Sequence, residues 1–248
     1  MAIKSGETTY HQAKRGIVQN GLVLNLDAGV DASYDGGTAW RDLEGGNNGT
    51  LTNGPTFDRD NGGGIVLDGT NDYIEIPDLE ETNMTSVSFS VGLKLDNLSS
   101  DYDIISKGIH QQNTSILCWF DPSVSSSANV GAGNTNAISC LTYDGDTQVW
   151  VSTASSIVAA DEIFILDITI DASAGTLSLY KNGTFLNSYT NVNYDGIQNN
   201  SNNFRLGVDA YESRDLPGAF YFFRIYNRAL TATEITQNYN VTRHRFGV

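Results

Sequence analysis

An all-β fold, sandwich or barrel, closed by one short helix is what this 248-residue sequence predicts. Three observations carry it. Apolar and polar residues alternate in many short runs, turn-forming residues crowd the gaps, and a single segment reads as helix. Residues 21–28 (GLVLNLDA) alternate. Residues 64–77 hold two strand-like pieces, 65–67 and 73–76, around a turn at Asp68-Gly69. In residues 85–95, Val87, Phe89, Val91, Leu93 and Leu95 alternate strictly, the mark of a strand with one buried face. Residues 163–170 (IFILDITI) are more continuously apolar, as a central strand is. Residues 176–180 and 184–189 flank Lys181-Asn182-Gly183, and Asn-Gly between apolar runs signals a tight hairpin because both residues tolerate positive φ. Residues 204–208 and 219–226 supply late strands. Thr231 is a good N-cap, and Glu234 three residues later completes a capping box that starts a helix over 232–239.

Hydrophobic residues make up 40% of the chain, enough for one sizeable core. No repeat or linker divides it, so one domain is expected over 21–240, with an N-terminal arm 1–20 and a C-terminal tail 241–248. The longest apolar runs fall far short of the roughly 20 residues a membrane helix needs. Residues 1–20 are polar, without the apolar core of a signal peptide, so synthesis in a cytoplasm is expected. Segments 45–50 (GGNNGT) and 62–64 (GGG) read as loops, and 123–136 as a long loop of small residues. Two cysteines are too few for a disulfide framework. Cys118 and Cys140 read as two buried thiols, with a single bridge between neighbouring strands left open.

The net charge of −15 is uneven. The arm carries Lys4, Lys14 and Arg15 against Glu7, the tail carries Arg243 and Arg245, and the body between them is strongly acidic. Such a body argues against nucleic acid, which needs a basic face. The two basic ends are the expected docking region: Lys4, Lys14, Arg15, Arg243 and Arg245 would fix the acidic body to a larger assembly.

Residues 22–27 (LVLNLD), 38–43 (TAWRDL), 47–57 (NNGTLTNGPTF), 65–74 (IVLDGTNDYI), 179–183 (LYKNG) and 223–235 (FRIYNRALTATEI) resemble, in order, the concanavalin-A-like, laminin-G-like jelly-roll family. That resemblance implies a two-sheet antiparallel jelly-roll sandwich with one short C-terminal helix. The string as a whole is also similar to versions in virion proteins of tailed phages. The expected function is therefore a non-enzymatic virion accessory protein, a capsid decoration or fibre-like appendage that stabilises the particle or attaches it weakly to glycans. The alternatives are a free-standing carbohydrate-binding lectin module and, after it, a glucan hydrolase. Expected partners are other virion proteins such as the major capsid protein or a fibre or tail component, and cell-surface glycans. No nucleic acid and no membrane is expected, and a homo-oligomer stays open. The expected location is the virion.

Glycoside hydrolysis needs two carboxylates facing one cleft. Glu162 and Asp167, like Glu75 and Asp78, are an odd number of residues apart, which puts them on opposite faces of a strand. His11, His110 and His244 are scattered, and no zinc spacing exists. The glycine run 62–64 lacks the Lys-Ser/Thr of a phosphate loop. No catalytic residue, metal ligand or cofactor is assigned. The family resemblance implies calcium at a loop rim, where Asp68/Asp72, Asp101/Asp103 and Asp144/Asp146 are the acidic pairs, yet none matches a twelve-residue calcium loop. Trp119, Trp150, Tyr143 and Tyr211 are the aromatic candidates for sugar contact, each with core or edge packing as the competing role.

Overall fold

The computed structural model describes residues 16–79, 84–108, 114–123, 135–209 and 214–247. In chain order, the described residues form β1 (Leu22–Asp27), β2 (Ala39–Trp40), β3 (Gly49–Thr52), β4 (Thr56–Asp58), β5 (Gly64–Asp68), β6 (Tyr73–Ile76), β7 (Val87–Leu95) and β8 (Tyr102–Lys107). They continue with β9 (Ile116–Asp121), β10 (Ala137–Tyr143), β11 (Gln148–Ser152), β12 (Ile163–Asp171), β13 (Thr176–Lys181), β14 (Thr184–Thr190), β15 (Phe204–Leu206), β16 (Pro217–Tyr226) and helix α1 (Ala232–Thr242). Two antiparallel sheets result, as the sequence predicts. The first runs β14-β13-β12-β7-β16-β5-β4, with β1 also on β16, and the second runs β11-β10-β9-β8-β15-β6-β3-β2.

The alternating residues of β7 explain the packing. Val87, Phe89, Val91, Leu93 and Leu95 are all fully buried in the core cluster between the sheets. Phe89 stacks 6.3 Å from Phe223 of β16 and 5.9 Å from Phe204 of β15, so it ties the two sheets together. Each such side chain contributes roughly 2 kcal/mol by leaving water. The hairpin between β13 and β14 turns at Asn182 (φ +51°) and Gly183 (φ +76°), the positive-φ pair its sequence requires.

Strand β16 serves two partners along one edge. Residues 217–220 pair with β5 and residues 222–226 pair with β1. At the break, the Tyr221 carbonyl accepts the Ala28 N–H at 3.0 Å. Helix α1 covers the outer face of this sheet. Its capping box is formed, and Arg228 grips Glu234 from the side at 2.6 Å. That clamp, with the cap, holds the Glu234 carboxyl down to about 2. Ile17 and Val18 pack against the same helix, with the Val18 N–H donating to Asn238 Oδ1 at 2.8 Å.

The chain end packs against the first sheet. Helix α1 runs to Thr242, a 3-10 turn follows at Arg243–Arg245, and Phe246 packs edge-on against Tyr221 at 5.1 Å. The reason is tertiary, because the shelf of Tyr221 and Phe222 that receives Phe246 exists only once β16 is in its sheet. The glycine run has its explanation here too. A Cβ on Gly62 would sit 2.7 Å from Arg245 Cγ, and one on Gly29 would sit 2.7 Å from the guanidinium carbon. The glycines leave room for the Arg245 side chain to lie on the backbone.

Cys118 and Cys140 correct the expectation of two thiols. They are directly opposed across β9 and β10, with Cα atoms 4.1 Å apart, and form a disulfide. Strand register, which spacing does not reveal, brings them together.

A candidate ligand-binding face on the second sheet

Antiparallel register lines up one row of side chains across the outer face of the second sheet. Thr50 (β3) opposes Glu75 (β6), Glu75 opposes Arg205 (β15), and Arg205 opposes Ser106 (β8). The row continues through Leu117 (β9) and Leu141 (β10) to Trp150 (β11). Residues directly opposite in a sheet project to the same face.

A cleft of about 280 Å³ opens over the polar half of this row. Glu75, Arg205 and Ser106 line its strand side, and Ser201, Asn202 and Asn203 line its loop side. Arg205 Nε lies 3.3 Å from Glu75 Oε1, and its guanidinium sits 4.9 Å above the Tyr73 ring. Both charged side chains are partly open to solvent, at 22% and 33%. The loop side is held from below by Lys107. Its ammonium, 3% exposed, reaches Asp78 Oδ1 at 2.6 Å and the carbonyls of Asn200 and Asn202 at 2.8 and 2.6 Å. Burial pulls the Lys107 pKa down while Asp78 opposes the shift. Asn203 Oδ1 accepts the Asp78 N–H at 3.2 Å, which ties the loop to the end of β6.

The neighbouring half of the face is apolar and largely buried. Leu117, Trp119 and Leu141 cluster there with Trp150 against them, and the two indoles are 5.3 Å apart. Arg214 lies 5.7 Å over Trp119 and pairs with Asp103 Oδ1 at 2.8 Å. Asp103 is fully buried, and desolvation pushes its carboxyl up to about 8, with Arg214 opposing and Asp209 and Asp101 adding. On the helix-covered face of the first sheet, burial likewise lifts Asp167 to about 7, against Ser90 and Arg224.

These two carboxyls set a pH dependence. An Asp has a pKa near 3.9 when unfolded, so the folded state holds more protons than the unfolded state between about pH 4 and 8. The stabilisation is present at the acid end of that window and is lost as pH rises through 7 and 8. Thermal melts should therefore show a higher Tm near pH 5.5 than at pH 8.5. Asp167→Asn should flatten the difference; an unchanged slope would refute the role given to Asp167.

The other sequence-predicted residues fall as follows. Lys4, Lys14, Arg15, His11, His110 and Tyr211 lie outside the described residues. Arg243 sits 5.7 Å from the Tyr239 ring. Arg245 is engaged within the fold: Nη1 pairs with Asp27 Oδ1 at 2.5 Å and Nε donates to the Asn61 carbonyl at 3.2 Å. Two of the acidic pairs close local turns, with Asp68 Oδ1 accepting from Thr70 and Asp144 Oδ1 accepting from Asp146 and Thr147, while Asp101 and Asp103 face Arg214. No cluster of three metal-ligating side chains occurs among the described residues. Glu162 pairs with Lys181 at 2.6 Å while Asp167 is buried, so the two share no cleft. A second cavity, about 570 Å³, is lined by Tyr34, Phe57, Asp31, Arg59 and glycine backbone. The smaller cleft is the stronger candidate because strand positions hold its donors and acceptors rigidly.

Two antiparallel sheets with a polar cleft on one outer face define a jelly-roll β-sandwich. The chain belongs to the concanavalin A-like lectin/glucanases superfamily, whose Laminin_G_3 model matches residues 68–236. No curated relative matches by sequence. Among solved structures, the receptor-binding domain of botulinum neurotoxin type G is similar with a TM-score of 0.64 at 18% identity, over 90% of this chain and 51% of that one. The binding domain of Paraclostridial Mosquitocidal Protein 1 gives 0.66 at 17%, over 89% and 52%. This chain thus spans about half the length of the toxin binding domains it matches. Domain 4 of AbnA, an extracellular GH43 arabinanase of Geobacillus stearothermophilus solved with arabinotriose, gives 0.60 at 20%, over 88% of this chain and 97% of that one. At these identities the likeness speaks for the fold.

Proposed function

We propose that the chain is a carbohydrate-binding module that recognises a glycan in the cleft over Glu75, Arg205 and Asn202 and performs no catalysis on it. The observation that carries this reading is the cleft itself: Ser201, Asn202 and Asn203 of one loop face Ser106 and the Arg205–Glu75 pair of the sheet. Glu75 is the one carboxylate among the described residues lining it, whereas glycoside hydrolysis requires two. A full-length arabinanase domain of the same fold, solved with a trisaccharide, supports the ligand class. On an immobilised-glycan array the protein should retain a defined glycan, and Asn202→Ala should weaken retention. Release of reducing sugar that Glu75→Gln abolishes would overturn the non-catalytic part.

A finer placement, on a tailed-phage particle as a decoration or appendage, is supported by the sequence resemblance. It calls for a mass-spectrometric inventory of purified particles. Many copies per particle are expected, and absence from them would sink it.

A further inference from the structure

We infer that the cleft selects neutral glycans and reads two adjacent hydroxyls through the side-by-side Arg205 and Glu75, an inference that rests on the carbohydrate reading above. Two cations stand at the cleft, Arg205 in the row and Lys107 behind the loop, and each already carries a carboxylate. Arg205 lies 3.3 Å from Glu75, and Lys107 lies 2.6 Å from Asp78. The face therefore presents matched pairs on a chain whose net charge is −15. A sulfate or uronate would have to pull one of these cations from its carboxylate and place its own charge against the acid left behind. Both steps oppose binding.

A sugar hydroxyl, by contrast, both donates and accepts. The guanidinium offers only donors and the carboxylate only acceptors, and Nε and Oε1 are 3.3 Å apart in the same row. Of two adjacent hydroxyls, one accepts from Arg205 while its neighbour donates to Glu75, and the pair keeps its charge balance throughout. Tyr73 beneath the guanidinium fixes its plane, with 4.9 Å between them. Asn202 and Asn203, with Ser201, border the remaining side. The cavity, about 280 Å³, is at the small end for a ligand pocket, so a short stretch of glycan fills it.

The test is calorimetric titration of the full chain with a panel of neutral trisaccharides and with sulfated, sialylated and uronate oligosaccharides. A neutral member should bind with an affinity that changes less than about twofold between low and moderate salt, because no net charge is neutralised. Glu75→Gln and Arg205→Gln should each weaken that binding about tenfold or more, and a deoxy analogue lacking one of the two hydroxyls should lose a similar factor. Both variants should melt near the parent Tm, since a partly exposed pair contributes little stability. Asp31→Asn, at the other cavity, should leave binding unchanged. Tighter binding of an anionic oligosaccharide would overturn the inference, as would neutral binding that ignores Glu75 and Arg205 yet falls with Asn202→Ala; in that second case the carbohydrate reading survives. Failure to bind any member of the panel or array would overturn both.

Discussion

Asp27→Ala should destabilise the protein by about 3–5 kcal/mol, read as a lower urea midpoint with an unchanged slope. Asp27 stands between two arginines. Its Oδ2 lies 3.3 Å from Arg224 Nη2 and its Oδ1 lies 2.5 Å from Arg245 Nη1. The Arg224 side chain is 3% exposed and lies 4.0 Å from the Phe222 ring. Its remaining contacts, Asn25 Oδ1 at 3.2 Å and Thr242 Oγ1 at 3.4 Å, are neutral. Removing the carboxylate strands a charge that water cannot reach, which costs more than the net worth of the pair. Arg245→Met should cost less, about 2 kcal/mol, because Asp27 keeps Arg224. The two substitutions share a network, so the double variant should fall short of their sum. A loss below about 1 kcal/mol for Asp27→Ala would show that the chain end is not pinned through this carboxylate.

Lys107→Met should cost about 2–4 kcal/mol and weaken glycan binding by more than the loss of folded protein explains. Methionine fills the space of the stem but offers nothing to Asp78 or to the carbonyls of Asn200 and Asn202. The loop side of the cleft then loses the contact that sets its height above the sheet. Lys107→Arg should not restore binding, since a planar fork cannot take the place of a compact ammonium among these three acceptors. Titration at a temperature where each variant is fully folded separates the effects. Parent-like affinity under those conditions would mean that Lys107 stabilises the fold without positioning the loop.

Much of the first sheet was legible in the sequence. Alternation located β1 and β7, apolar runs beside turn residues located β5 and β16, Asn182-Gly183 located the β13–β14 hairpin, and the capping box located the start of α1. Strands β8, β9 and β10 were not read. Their residues are buried on both faces, with Ile104, Cys118 and Ile138 in the core and Leu117 and Leu141 beneath the outer cluster. A strand buried on both sides shows no alternation, so the period-2 signal is missing. The short apolar runs 116–120 and 137–141, bounded by Ser, Asn and Asp, were the available trace. Of the aromatic candidates for sugar contact, Trp119 and Trp150 pack on each other with their indoles 5.3 Å apart; Arg205 carries no local signal, and the sequence sets Glu75 only beside Asp78. In the fold Glu75 pairs with Arg205, 130 residues away, and Asp78 pairs with Lys107.

The sequence by itself determined what is local: which runs extend, where the chain turns, where the helix begins, and the acidic excess. These follow from side-chain periodicity and backbone preference over a few residues. Tertiary structure decided what depends on distance in space. It joined Cys118 to Cys140, set Arg245 against Asp27, and brought Glu75 to Arg205 and Asp78 to Lys107. Ion pairs form across a few ångströms, and strand register, which no short stretch of sequence encodes, sets which residues come that close.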